Sequence, residues 1–377
     1  MPRRQTGRTS TPNEEELKFE VLWYDSLGAK SSSILVETPD VSVLIDPGAS
    51  GMQHGFPMSR VKKAFYRLRA LRKISGAAHK AKVIVISHYH YDHFCRLDLK
   101  SVDSAAIYRG KKIFVKDPNK FVNFSQWARA RAFFSQILKK FNGEDKAKKV
   151  MFKADPTCSF DAEDSIPLAM GKDFKDYQER RNEFIEKGRI WFASLCRMWS
   201  KNPWISEMKF GDTEFKFMDG RKVEFGNTVL RFSPPFFHGV EYDRLGWVSS
   251  TLIEHKGVKL IHTSDVEGPV IEDYADWIIR ENPNVVFVDG PPTYLLGFVV
   301  NKVNLTRAID NVCRIIREAD RTELVIYDHH LMRDPLFQKR AGEVYKAAKI
   351  NDKRVMSAAE FLGQEIVALK VGKASRP

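Results

Sequence analysis

Cysteine is scarce in this chain, and long apolar runs are missing altogether. The four cysteines, Cys95, Cys158, Cys196 and Cys313, are scattered over 377 residues with no C-x-x-C pair. That spacing excludes a disulfide framework and a thiolate zinc site, and makes a reducing cytoplasm the expected location. No apolar stretch approaches the roughly 18–20 residues that span a bilayer, so no membrane role is expected. The start of the chain lacks the apolar centre of a secretion signal. Residues 1–16 read instead as a polar disordered tail ahead of one domain at 17–377. Acid is also in deficit: 48 Asp and Glu face 61 Lys and Arg, a formal net charge of +13. This surplus says little about fold but favours anionic partners.

The basic surplus is uneven. Residues 59–82 hold nine Lys or Arg and no acid, and residues 109–153 hold thirteen against three. The second stretch is interleaved with rings, among them Phe114, Phe124, Trp127, Phe133 and Phe134. Cations beside rings suit single-stranded nucleic acid, neutralising phosphates and stacking bases. They equally suit a solvated basic face over an aromatic core. RNA or another nucleic acid is therefore one expected partner, and the oligomeric state is left open.

The chemistry sits in a short string. The apolar run Val83-Ile84-Val85-Ile86 leads directly into Ser87-His88-Tyr89-His90-Tyr91-Asp92-His93. Alternation along a strand would aim His88 and His90 at one cation, with Asp92 and His93 at the turn that follows. Further ligand types stand at the ends of later strand patterns: His238, Asp265 and the pair His329-His330. Asp46 stops an early strand, and Asp289 ends another before Gly-Pro-Pro. Imidazole and carboxylate suit zinc, and also manganese or iron. His54, His79 and His255 read as ordinary surface or loop residues, and His262 as core. Strand patterns include one over 248–254, and the last helix is expected over 337–348.

This ordered set of motifs resembles the metallo-β-lactamase superfamily. The resemblance implies an α/β (α+β) fold, an αββα sandwich of two sheets flanked by helices, with metals at one edge. It implies that His88, His90 and His238 hold one metal and that Asp92, His93 and His329 hold a second. Asp265 would bridge both, and Asp46 would brace the metal loop through hydrogen bonds. His329 fits the superfamily position better than His330. A closer likeness is to an uncharacterised, mostly archaeal family of predicted hydrolases. Strings that carry it include Ser264-Asp265-Val266-Glu267-Gly268-Pro269, Asp289-Gly290-Pro291-Pro292 and Asp328-His329-His330-Leu331. The chain departs from that family in a longer middle, and a helical, basic insertion is expected at about 101–212.

The expected activity is metal-dependent hydrolysis by water activated between two divalent ions. Asp92 and Asp265 would hold the reacting centre, while His330 and Asp289 are candidates for protonating the leaving group. A phosphodiester such as RNA is the first expected substrate. A small metabolite (lactone, thioester or phosphoester) is the second, and an RNA-associated protein with a structural metal site is the third.

Overall fold

The computed structural model describes residues 16–141, 151–154 and 162–374. The tail expected at 1–16 lies, apart from Glu16, outside the described residues. Two seven-stranded sheets form the frame. The first runs, in order across, Lys18–Tyr24 (β1), Ser32–Glu37 (β2), Ser42–Ile45 (β3), Val83–Ile86 (β4), Lys112–Val115 (β5), Thr213–Phe217 (β9) and Met208–Phe210 (β8). The second runs Lys222–Phe225 (β10), Thr228–Phe232 (β11), Thr251–His255 (β14), Val258–His262 (β15), Val285–Asp289 (β16), Leu324–Asp328 (β17) and Arg354–Met356 (β18). Two short pairs complete the strands: Met151–Phe152 (β6) with Trp204–Ile205 (β7), and Phe236–Phe237 (β12) with Trp247–Val248 (β13).

Strand β4 explains the layering. All four of its residues are buried because both faces are covered. Val83 and Val85 join Val43, Ile45, Phe114, Leu230, Ile253 and Ile326 in the core between the sheets. Ile84 and Ile86 face outward, in the cluster that holds Ala70, Leu71 and Ile74 of the helix Arg60–Ala78. That helix crosses from β3 to the parallel β4. On the second sheet, β15, β16 and β17 are likewise parallel, and Glu272–Glu281 and Lys302–Glu318 are their crossover helices. The αββα sandwich expected from the motifs is the fold observed.

Three expectations change in detail. The insertion cannot begin at 101, because β5 sits inside the first sheet between β4 and β9. The added helical segment lies between β5 and β8, with Phe124–Lys140 and Gln178–Lys201 as its long helices. The strand expected over 248–254 is two strands. It breaks where the Ser249 N–H donates to the Ser87 carbonyl (3.1 Å) and the Ser250 N–H to Ser233 Oγ (2.9 Å). The last helix expected over 337–348 divides into Phe337–Arg340 and Gly342–Ile350, and the short helices Ala358–Phe361 and Val367–Ala374 follow β18.

Most rings of the basic stretch are core. Phe114, Phe133 and Phe134 are buried, and Phe124 alone of those named is exposed. No described helix is long and apolar enough to cross a membrane.

The helix Gln178–Lys201 meets the sandwich at Gly188, where a Cβ would lie 2.5 Å from Cβ and 2.6 Å from Cγ of Tyr242. Alanine in a helix interior is ordinarily better than glycine by about 1 kcal/mol. Here overpacking outweighs that gain, and Gly188→Ala is expected to lower stability by about 1–3 kcal/mol. Denaturant unfolding measures it; a more stable variant would refute the close approach.

Candidate metal centre

The site is built where strands stop. Asp46 follows β3, His88 follows β4, His238 follows β12, Asp265 comes three residues after β15, Asp289 ends β16 and His329 follows β17. Leaving a strand while keeping a side chain over the sheet edge forces unusual backbone. Asp46, Ser264, Glu267 and His329 all adopt left-handed φ, between 48° and 56°. Such strain in non-glycine residues persists only where the surroundings fix it, and it concentrates at functional sites. His88 and His90 are gathered by this bend and not by strand alternation. β4 ends at Ile86, and the two rings meet edge to face in the loop, 4.5 Å between centroids.

Two groups of ligand atoms result. His88, His90, His238 and Asp265 each offer an atom within 4.8 Å of the others, and Asp92, His93 and His329 do the same. Asp265 stands between the groups. Its Oδ2 is 3.0 Å from His93 Nε2, 3.2 Å from His238 Nε2 and 3.5 Å from His88 Nε2, while Oδ1 is 3.3 Å from His329 Nε2. Yet Nε2 of His88, His93 and His238 and Oδ1 of Asp265 are buried without a hydrogen-bond partner. Buried polar atoms are rarely left so. Imidazoles crowding one carboxylate without aligned hydrogen bonds form groups able to hold divalent metal ions, in N and O donors.

The far sides of the rings are braced. Asp46 accepts from Nδ1 of His93 (2.8 Å) and from both the backbone N–H and Oγ–H of Ser87 (2.8 Å each). Asp25 accepts from Nδ1 of His329 (2.9 Å), and an Asp289 oxygen lies 2.8 Å from Nδ1 of His330. Asp46 and Asp25 fix the tautomer that presents the Nε2 lone pair of His93 and His329 inward. His330 groups with Asp265 and His329 but not with Asp92 and His93, so geometry separates the two adjacent histidines. Asp289 also accepts the Glu267 N–H (3.0 Å), so it is a brace and more than a turn residue.

Sequence reasoning missed Asp25, Arg333 and Glu267. Buried Arg333 donates to Asp25 and lies 3.7 Å from Asp92. Glu267 Oε1 lies 3.8 Å from His238 Nδ1. Asp25 directly follows β1, the same strand-end signal that marked Asp46. His255, expected at the surface, is buried, with Nδ1 2.8 Å from Thr228 Oγ1. His262 is core as expected, its Nε2 bonding the Ser32 carbonyl (2.8 Å).

Charge shapes the protonation. Burial alone would depress His93, but Asp265 and Asp46 reverse this and raise it to about 10. Burial and then the Asp265 contact act the same way on His238, which rises to about 8. His88, His90 and His330 are driven well down, first by burial. Asp92 is held low despite burial, chiefly by the Lys30 charge. Burial and Asp265 lift Asp289 to about 7.

Beside the centre lies a cavity of about 650 Å³, walled by Val240 and Asp243 near His238, by Glu267, and by Arg180, Phe184 and Lys187 of the inserted helix.

A family model described as the metallo-β-lactamase superfamily matches residues 28–132. A UPF0282 protein of Methanopyrus kandleri is 33% identical over 351 residues, covering 91% of this chain and 93% of that protein. One from Methanocaldococcus jannaschii is 31% identical, covering 92% and 91%. Among solved structures, the metallo-β-lactamase fold protein YhfI of Bacillus subtilis aligns at TM-score 0.39 and 12% identity, covering 87% of this chain and 88% of that one.

His93 and His238 are raised above the usual 6.5, so the stability they contribute without metal is complete below pH 6.5 and lost as pH climbs through about 8 and 10. The raised Asp289 works in the same direction. The melting temperature of metal-free protein is therefore expected to fall from pH 6.5 to 10. Added zinc must displace those protons, so it should restore alkaline stability and release protons on binding, seen by calorimetry in buffers of different ionisation enthalpy. A metal-free melting temperature that climbs over this window would contradict the assignment. Gly48→Ala should weaken zinc uptake by tenfold or more, because its Cβ would press on the backbone of Asp92, His93 and Phe94. Unchanged zinc affinity would show that the loop yields.

Proposed function

Because this chain belongs to the UPF0282 family, within the metallo-β-lactamase superfamily, we propose that it is a metal-dependent hydrolase of ester-type bonds in small molecules. The observation that carries this reading is the convergence of partnerless imidazole nitrogens on Asp265. His88, His90 and His238 would hold one cation, Asp92, His93 and His329 the other, and Asp265 both. Divalent cations held there supply the Lewis acidity that makes water nucleophilic near neutral pH and polarises the bond under attack.

The protein's own groups do the rest. Asp46 and Asp25 keep Nδ1 of His93 and His329 protonated, so Nε2 of each presents a lone pair. The pair His330–Asp289 handles the proton. Burial and Asp265 raise Asp289 while burial, aided by Arg333, lowers His330, so the two share one exchangeable proton near neutral pH. With Asp289 protonated and its O–H directed at Nδ1, His330 carries its own proton on Nε2 and gives it to the leaving oxygen or sulfur as Nδ1 takes the proton from Asp289.

A small substrate is favoured over a nucleic acid strand on two grounds. A cavity of about 650 Å³ adjoins the centre, within the range of small-ligand sites. The rings Phe114, Phe133 and Phe134 are buried and offer no face to a base.

Zinc-loaded protein should turn over a carboxylic ester, thioester or phosphoester in a panel that also contains single-stranded RNA and DNA. Asp265→Ala should abolish turnover. His330→Gln and Asp289→Asn should keep their metal and lose roughly 10²–10³-fold in kcat, the usual share of a proton donor. RNA cleavage without ester turnover would transfer the site to phosphodiesters, and full metal content with no turnover of any substrate would end the hydrolase reading.

A further inference from the structure

The cavity beside the metal centre contains charges that the reaction above leaves unused. Two of its arginines are already committed. Buried Arg181 and Arg307 share Glu241 at 2.9 and 2.7 Å, Arg307 also pairs with Glu272 at 2.7 Å, and Phe174 lies 4.7 Å from each guanidinium. This cluster is a rigid frame. It ties the inserted helix Gln178–Lys201 to the loop after His238 and to the helix Lys302–Glu318.

Two other arginines on the cavity wall are not spent in this way. Arg180 is exposed and has no carboxylate partner among the described residues. Arg244 also lacks one, and its guanidinium is held 4.8 Å above the Trp191 ring, which stacks on Trp247 at 5.6 Å. An arginine fixed over a ring loses little freedom when it takes an anion. Between and beside these cations the wall is apolar. Phe184, Leu245 and Val299 are 43%, 41% and 74% exposed, and Leu295 and Pro292 line the same space. Large side chains of this kind, left in water around a concave site, mark a binding surface.

The end nearest the metals has the opposite sign. A Cβ at Gly239 would sit 3.0 Å from both Asp243 Oδ2 and Glu267 Oε2, so two carboxyl groups meet beside His238; burial and this contact raise Glu267 to about 8, and the pair holds one proton and one negative charge. An anionic group is repelled from that end and drawn to the arginine end. A ligand with one charged terminus therefore has one favoured direction.

We propose that this cavity binds an amphiphilic anion: an alkyl or acyl chain bearing a terminal carboxylate or phosphate. Its charge rests on Arg180 and Arg244, and its chain lies along Phe184, Leu245, Leu295 and Val299. This rests on the hydrolase reading in one respect only, that the ligand is the non-reacting part of the substrate and its neutral end is presented at His238.

The test is calorimetric titration of the full chain, metal-free and zinc-loaded, with octyl phosphate and octanoate, using octanol and inorganic phosphate as controls. Either anion is expected to bind 1:1 in both forms and in Asp265→Ala. The double variant Arg180→Gln, Arg244→Gln should weaken it at least roughly tenfold, the scale of a lost charge-assisted hydrogen bond. Val299→Asp should do the same, and unchanged melting temperatures would show that these surface changes leave the fold intact. Octanol and phosphate alone should bind far more weakly. Equal binding of octanol, or no effect of the double variant, would overturn the proposal. Binding that requires zinc would place the anion on the metals and also overturn it, as would displacement by an RNA oligonucleotide at lower concentration. Anion binding without turnover of any ester would sink the hydrolase reading and leave the cavity assignment standing. Turnover of a monoester of octanedioic acid, whose far end is a free carboxylate, with a KM unmoved by the double variant would do the reverse.

Discussion

The burial of one carboxylate, Asp265, sets the terms for everything around it. A buried charge must be paired and hydrogen-bonded or it destabilises the fold. Here the groups that approach it are imidazoles from three separate loops, His88 and His93 from one, His238 from a second and His329 from a third. For His93 and His329 the other nitrogen is satisfied as well, and this brings in Asp46 and Asp25. Carboxylates thus accumulate: Asp25, Asp46, Asp92, Asp265 and Asp289 stand within one small region. Arg333 and Lys30 are the side-chain cations that act on it. The excess of acid over fixed cation is a charge balance suited to the metal ions these groups could hold.

Backbone strain and sheet topology follow from the same demand. Ligands from two sheets can meet only if their loops turn inward immediately after the strands end. That is why left-handed residues gather at Asp46, Ser264, Glu267 and His329. The parallel strands beneath them, buried on both faces, hold these conformations. Gly48 belongs to the same economy of space, since its missing side chain lets the loop after β3 lie against the backbone of Asp92 and His93.

The chemistry was legible in sequence because ligand types recur directly after apolar runs, a local signal. Ser87 to His93 shows itself in seven residues, and Asp265 and His329 repeat the strand-end pattern. Arg333 was illegible because its partner Asp25 lies 308 residues away and no periodicity joins them. The insertion boundary was misplaced for a different reason. Strand β5 is only four residues long, and Lys111, Lys112 and Lys116 around it make it look like part of a basic surface. Lys116 is in fact fully buried, 2.6 Å from Asp219. The rings that suggested base stacking show the same limit: composition does not reveal which side of a helix faces water.

The inserted helix gives the candidate metal centre a cavity wall that the sandwich alone does not supply. Gly188 lets it pack on Tyr242, four residues beyond His238, and Arg181 fastens it to Glu241 in the same loop. One short loop therefore carries a metal-ligand histidine, the anchor of the insertion and, in Arg244, a cation of the cavity wall. A movement of the helix would displace all three together. The shape of the cavity and the placing of His238 are mechanically linked, so residues of the helix bear on the candidate site through this loop.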